Sequence, residues 1–486
     1  MLHISDVKKY KRCPRLYYLS VDHPSVYQPY LRHDEELTKL VVEFLGLKDY
    51  YLGERGDDPS RVLEALDKHE WFVKARFAYE DLRIKIPVLH RVADGFDLYF
   101  AMYAPLPKAE DVEFYRDNIW VLKKVGIKLQ NIYVIHLSGD YVRQEDLDLD
   151  KLFVIDRYLY KVKKPSIMLD DLKDQDYDLK TTLDQMRSHT LKDHQPVKRR
   201  ACKARGLCDF FDQCFIEDLV DDDIEYLVSS SKKYEMKDRG IKHLKDADLD
   251  LIEGTRVQYA QIMASKNGGL YYDEIALKKW LEKFKDKTLC FIDFEWETYM
   301  IPPYRGLRPY DHVCFEYSLH MLKKDGSLTH REFIQTGDCR EDFIRSLIKD
   351  IPKDACLVAY NAEGAEILRL KELKDQFPSY AVMLDDMIAR FVDMAYPFSE
   401  GLVYHTKMRA NFSVKSLVKV VSDLDYRDLD ISNGMDAVYK WRLLDKNIQD
   451  ENLDDVRSEL SRYCSLDSYS LYLLYRWLCN ITRHIF

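Results

Sequence analysis

The sequence predicts an α/β protein built from roughly two or three domains, and three observations carry that prediction. At 486 residues the chain is too long for one ordinary core. Apolar runs bounded by turn residues occur in both halves, in "LRIKIPVLHRVADGFDLYFAMYAP" from Leu82 and in "LCFIDFEWETYMIPPYRGLRPY" from Leu289. Between and after them, apolar residues recur at three- and four-residue intervals, as in "DEIALKKWLEKF" from Asp273 and "LSRYCSLDSYSLYLLYRWL" from Leu460, which is the period of a helix.

The content of 46% hydrophobic and 33% charged residues is that of a globular protein, and its 35 tyrosines point to surface aromatics. No run of about eighteen apolar residues is present, and "MLHISDVKKYKRCPRLYYLS" lacks the apolar stretch of a signal peptide, so a cytoplasmic location is expected. A net charge of -10 argues against indiscriminate nucleic-acid binding and leaves room for a local basic groove.

Taken in chain order, the first feature is a set of cysteines. Six of the ten, Cys290, Cys314, Cys339, Cys356, Cys464 and Cys479, sit in apolar surroundings and read as small buried hydrophobes. Cys202, Cys208 and Cys214 are evenly spaced in "ACKARGLCDFFDQCF", and Cys13 stands far upstream in "YKRCPRLYY". In a cytosolic chain such a group indicates a metal centre before it indicates disulfides. Zinc prefers closer C-x2-C pairs, and four thiolates also hold iron-sulfur clusters.

A C-P-R-x-x-Y-Y segment followed by a late three-cysteine tract resembles the iron-sulfur branch of the PD-(D/E)XK nucleases, which includes RecB-like and CRISPR-adaptation enzymes. That resemblance implies a 4Fe-4S cluster on Cys13, Cys202, Cys208 and Cys214, with zinc as the alternative, clasping the two ends of a domain over residues 1–225. The strands from Leu82, joined at Asp94-Gly95, are where the family carries its acids and lysine. Here those positions hold Pro87, Phe100 and Met102, and the following helix offers Asn118 in place of a glutamine. None of these ligates Mg2+, so the domain reads as a degenerate nuclease kept for structure or substrate binding.

Basic residues flank both cysteine groups, Lys8, Lys9, Lys11, Arg12 and Arg15 on one side and Lys198, Arg199, Arg200, Lys203 and Arg205 on the other. With Tyr10, Tyr17 and Tyr18 among them they suit single-stranded nucleic acid, and a solvated surface is the other reading. Residues 226–284 are expected to form a helical connector.

Residues 285–486 begin with the strand that carries Asp293 and Glu295. Alternation with period two puts both carboxylates on one face and Ile292 and Phe294 on the other. Such a pair is unfavourable unless a proton or a cation is shared or the face is wet, and Mg2+ or Mn2+ is the natural bridge. A hairpin through Lys324-Asp325-Gly326 follows. Then "CLVAY" reads as a strand that gives way at Asn361 to a helix bearing Glu363 and Glu366, and a late amphipathic helix puts Tyr463 and Asp467 on one face.

This order, D-x-E on a first strand, an Asn then an acid at a strand-to-helix turn, and a late Y-x-x-x-D, resembles the tyrosine branch of the DEDD 3'-5' exonucleases, with a ribonuclease H-like mixed sheet flanked by helices. The resemblance implies two Mg2+ or Mn2+ ions about 4 Å apart on Asp293, Glu295, Glu366 and Asp467, cleaving DNA or RNA from single-stranded 3' ends. Tyr463, with an ordinary pKa of about 10, would orient the attacking water and not act as its base. The usual position of the second acid is Ala365, and Glu366 follows one residue later; Glu363 and Asp393 are the other choices. Asn361, Lys415 in "SVKSLVKVV", and Arg305 and Arg308 in the loop from Tyr299 to Tyr310 are candidate nucleic-acid contacts. The whole layout looks like an uncharacterised bacterial domain-of-unknown-function family joining these two nuclease-like parts. A catalytically inactive nucleic-acid-binding scaffold is the alternative.

Overall fold

The computed structural model describes residues 1–24, 34–108, 111–161, 164–198, 200–203, 207–424, 431, 433–448 and 452–483. The protein is of mixed α/β class and forms two compact units, Met1–Asp218 with Met300–Tyr310, and Leu219–Tyr299 with Asp311–Phe486. Among the described residues no helix is long and apolar enough to cross a membrane.

The first unit is built on a seven-stranded sheet. Its strands are β1 (Leu2–His3), β2 (Tyr51–Leu52), β3 (Trp71–Tyr79), β4 (Leu82–Val92), β5 (Gly95–Ala101), β6 (Leu129–Leu137) and β7 (Phe153–Asp156). Strands β2 to β7 lie in chain order, and β1 pairs with β4. The β4–β5 hairpin turns at Ala93-Asp94, so Gly95 opens the second strand. Ile84 and Ile86 of β4 face the core, where they meet helix α1 (Val112–Lys124) through Tyr115, Ile119 and Leu122.

Pro87 interrupts this pattern because it has no N–H to give to the ladder. The register pairs Val73 with Val88 and Ala75 with Ile86 and skips the step between them, where Lys74 stands opposite Pro87 with φ 52°. Gly53 takes up the displaced backbone. A Cβ at that residue would lie 2.2 Å from the Lys74 carbonyl oxygen, so only glycine fits.

The second unit holds a five-stranded sheet of β8 (Leu289–Thr298), β9 (His312–Leu322), β10 (Leu328–Ile334), β11 (Cys356–Ala359) and β12 (Phe391–Asp393). The order is β10-β9-β8-β11-β12, with the first two pairings antiparallel and the last two parallel. Helices flank it: α2 (Arg340–Asp350), α3 (Glu366–Gln376), α4 (Val414–Val421), α5 (Gly434–Asp445) and the long α6 (Leu453–Thr482). On one face Phe294 and Tyr317 pack edge-on against Phe343 of α2. The other face carries Asp293 and Glu295 and lies under α6.

Two stretches depart from the expected secondary structure. The helical connector expected over residues 226–284 is helical at Arg256–Lys266 and Glu274–Leu281, but before them α-helix is found only over Lys233–Asp238, flanked by short 3-10 turns. Their backbone is satisfied from the side: Gln261 accepts from Val228 N–H and donates to the Tyr226 carbonyl, while Ile224, Leu227, Met236 and Leu244 bury into a small core. The helix expected from Asn361 begins at Glu366, because Asn361 takes left-handed backbone (φ 55°) and closes a turn with Gly364. Glu363 is therefore in the turn and not on the helix.

Replacing Gly53 with Ala is expected to cost about 1–3 kcal/mol by overpacking, read as a lower denaturant midpoint at unchanged slope. A neutral result would show that the Lys74 carbonyl yields freely.

Candidate functional site

Strand β8 supplies Asp293 and Glu295, and α6 supplies Asp467. One carboxylate oxygen from each lies within 4.8 Å of the others. Glu366, the first residue of α3, is 2% exposed and one of its oxygens has no hydrogen-bond partner. Starting the helix at Glu366 is what brings this residue, in place of the expected position 365, into the field of Asp293 and Glu295.

The electrostatics are those of anions held out of water. Burial, then the charges of Asp467, Glu295, Glu366 and Glu316, push the Asp293 carboxyl far above its usual range. Burial and Asp467 raise Glu295 to about 8 against the pull of Lys415. Burial also raises Glu366 to about 8, although Arg369 and two backbone N–H groups oppose it. Carboxylates in this state take a proton or a cation, and an all-oxygen set of this kind suits a hard divalent ion.

Tyr463, one turn before Asp467, is 3% exposed. It donates to Asp467, and burial with that charge raises its pKa steeply. Lys415 of α4 donates to its hydroxyl oxygen at 2.8 Å and lies over its ring. Burial and the nearby carboxylates keep the phenol neutral, and the two hydrogen bonds fix its orientation.

Behind the acids, Cys464 donates to the Asp293 backbone and side-chain oxygens at 3.7 and 3.8 Å. Ser318, opposite Asp293 in the ladder, shares hydrogen bonds with Ser468 of α6 (2.7 Å) and His330 (2.9 Å). His320 also meets Ser468 at 2.8 Å, and burial holds its pKa down to about 4, so the ring is neutral. Helix α5 is anchored to β8 by an ion pair between Arg442 and Glu297, which is 2% exposed. The same helix places Gly434 so that a Cβ there would touch a Glu295 oxygen at 3.5 Å.

One acid escaped the sequence reading. Glu316 is directly opposite Glu295 in the β8–β9 ladder, is 1% exposed, and neither of its oxygens has a hydrogen-bond partner. Burial and Glu295 push it well above the carboxylate range. The signal was available: a lone carboxylate inside the apolar run "HVCFEYSLHML" is the same anomaly that singled out Asp293 and Glu295.

The remaining candidates divide. Glu363 is exposed and pairs with Lys371, and Asp393 accepts from the Asn361 and Ala395 N–H groups, so neither joins the acidic triad. Asn361 serves that turn and is exposed. In the first unit Cys13, Cys202, Cys208 and Cys214 line one cavity. Arg12 and Arg15 line it too, donating to the Ala201 and His194 carbonyls at 3.0 and 2.7 Å. Arg200 is exposed; Arg199 and Arg205 lie outside the described residues. The expected stacking surface of Tyr10, Tyr17 and Tyr18 is corrected: the first two are core residues packed edge-on, and Tyr18 stacks on His194. Arg305 pairs with Glu145, and Arg308 is exposed in the Met300–Tyr310 segment of the first unit.

Residues 290–413 match the model of a family described as a domain of unknown function, DUF2779. The matched span takes in Asp293, Glu295, Glu316 and Glu366 and ends before α4, so Lys415, Tyr463 and Asp467 lie beyond it. No curated protein and no solved structure matches the chain.

Two outcomes are expected. A glutamate carboxyl ionises near 4.5 in the unfolded chain, while Glu295 and Glu366 do so at about 8 in the folded one. The folded state then holds more protons across that window, so metal-free protein loses stability as pH rises through it. Mn2+ should raise the melting temperature more at pH 8 than at pH 5; equal rises at both would sink the assignment. Glu316→Gln, which removes a buried charge without changing shape, should stabilise the metal-free protein by about 1–3 kcal/mol at pH 8, and a loss of stability there would show that the charge is needed for folding.

Proposed function

We propose that the second unit is a metal-dependent exonuclease acting on single-stranded ends of DNA or RNA. The observation that carries this reading is the buried set of Asp293, Glu295 and Asp467, joined by Glu366 and faced by a fixed Tyr463. The mixed five-stranded sheet flanked by helices agrees with the ribonuclease H-like arrangement, and the 3'-5' direction rests on the motif resemblance alone.

Asp293, Glu295, Glu366 and Asp467 would hold Mg2+ or Mn2+. When bound, such ions supply Lewis acidity toward a phosphodiester and a nucleophilic water at neutral pH. The chain's own part is to fix the acids from three elements, to exclude bulk water with α6, and to present the Tyr463 hydroxyl as a neutral hydrogen-bonding group. Its raised pKa argues for orientation of water and against proton abstraction. Lys415 restrains the phenol and offsets part of the carboxylate charge.

The first unit fits a non-catalytic role. Pro87 lies at a broken ladder step, Phe100 is core, and Asn118 is buried and donates to the Phe114 carbonyl. Its four cysteines fit an iron-sulfur cluster. They line one cavity, and zinc is the alternative occupant.

The test is anaerobic purification followed by incubation of end-labelled DNA and RNA strands with Mn2+ or Mg2+. Stepwise shortening from the 3' end is expected, with Asp293→Ala slower by at least about 10³-fold, some 4 kcal/mol of barrier. Absence of cleavage by folded, cluster-loaded protein would favour the binding-scaffold reading. Cys208→Ser should lower bound iron and sulfide together, and retention of zinc in their place would overturn the cluster assignment.

A further inference from the structure

We propose that Glu316 extends the carboxylate centre into a further divalent-cation position, in which Glu295 and Glu316 hold a resident ion at the closed end of the site. This inference rests on reading the centre as a metal site and does not require that it cleave nucleic acid.

Strand register sets the pair. Glu316 of β9 stands directly opposite Glu295 of β8, so the two side chains leave the sheet on the same face. Directly opposed residues of an antiparallel pair have Cβ atoms about 4.5–5.5 Å apart, a spacing at which two carboxylates can close on one ion and at which two bare charges repel. Exposure falls from 9% at Glu295 to 1% at Glu316, which puts the position between them at the closed end. Glu295 has one oxygen in the triad with Asp293 and Asp467. A carboxylate has two oxygens, so Glu295 can serve the triad and the inner ion together.

The protein itself does not meet the inner acid. Both Glu316 oxygens are buried without a hydrogen-bond partner. Other acids of the same unit are met: Glu297 pairs with Arg442, and Glu332 accepts from Ser461. Arg457, the cation that acts on Glu316, gives an N–H to the Ile334 carbonyl at 3.1 Å and none to the acid. Farther along the same face of β9, Ser318 and His320 bond to Ser468 at 2.7 and 2.8 Å. A proton on Glu316 would remove its charge and still leave an O–H and a C=O without partners, which is costly in a dry interior. A cation meets the carboxylate directly, and the oxygen-only donor set selects a hard ion such as Mg2+ or Mn2+. Because the position is sealed, its ion exchanges slowly and does not touch substrate.

The experiment strips the full chain of divalent ions with EDTA, desalts it and titrates it with Mn2+ at pH 8, following free Mn2+ by electron paramagnetic resonance. Elemental analysis after gel filtration then counts the ions that do not exchange. The unmodified chain should retain a slowly exchanging Mn2+ in addition to those that exchange. Glu316→Gln and Glu316→Met should bind that ion at least about tenfold more weakly and keep the exchangeable ones. Asp467→Ala should give the reverse pattern. Melting temperatures in EDTA establish that each variant is folded, and Mn2+ should raise them less in the two Glu316 variants than in the unmodified chain. The same number of ions, held with the same affinity, in folded Glu316→Gln and Glu316→Met overturns the proposal and leaves the acid with a proton, whether or not the chain cleaves nucleic acid. Absence of any bound Mn2+ in the unmodified chain overturns it together with the metal reading of the centre. Loss of the retained ion in the Glu316 variants of a chain that cleaves nothing sustains this inference while the exonuclease reading falls.

Discussion

Three carboxylates within 4.8 Å of one another, closed between a sheet and a thirty-residue helix, are the constraint that the second unit is arranged around. Repulsion among buried anions is among the largest unfavourable terms a fold can carry, and it falls off slowly in a dry interior. Asp293 and Glu295 cannot separate, because the strand pleat puts them side by side, and Asp467 is fixed by α6. A bound cation converts the same repulsion into affinity, and this conversion makes the cluster intelligible as a site.

The surrounding structure divides the load. One face of β8 is apolar and packs on α2, which gives the strand a rigid seat. On the polar face, Glu297 is removed from the cluster by its ion pair with Arg442, and Lys415 lowers the cost of Glu295 while holding Tyr463. The Ser318, Ser468, His320 and His330 hydrogen bonds tie α6 to the sheet without adding charge. Glu316 has no such partner, and its two unsatisfied oxygens mark it as an acid whose presence needs the site's cation or a proton.

In the first unit Arg76 stands opposite Lys85 across a ladder, and Pro87 removes a ladder bond at the next step. At that step Lys74 turns left-handed and Gly53 makes room for its carbonyl.

The sequence by itself determined the mixed α/β class, the hairpin at Lys324-Asp325-Gly326, and the shared face of Asp293 and Glu295, because periodicity and turn chemistry act over a few residues. It also paired Tyr463 with Asp467, four apart on one helix. It did not give the true start of α3, since a left-handed Asn361 depends on its contact with Asp393 thirty-two residues away. Nor did it give the turn at Tyr226–Val228, whose backbone Gln261 bonds from another helix. Tyr10 and Tyr17 looked like surface aromatics beside basic residues, and packing placed them in the core. Only the tertiary structure decided that Glu316 faces Glu295, that Lys415 restrains Tyr463, and that Arg76 faces Lys85, because strand register and helix docking bring together charges that are distant in the chain.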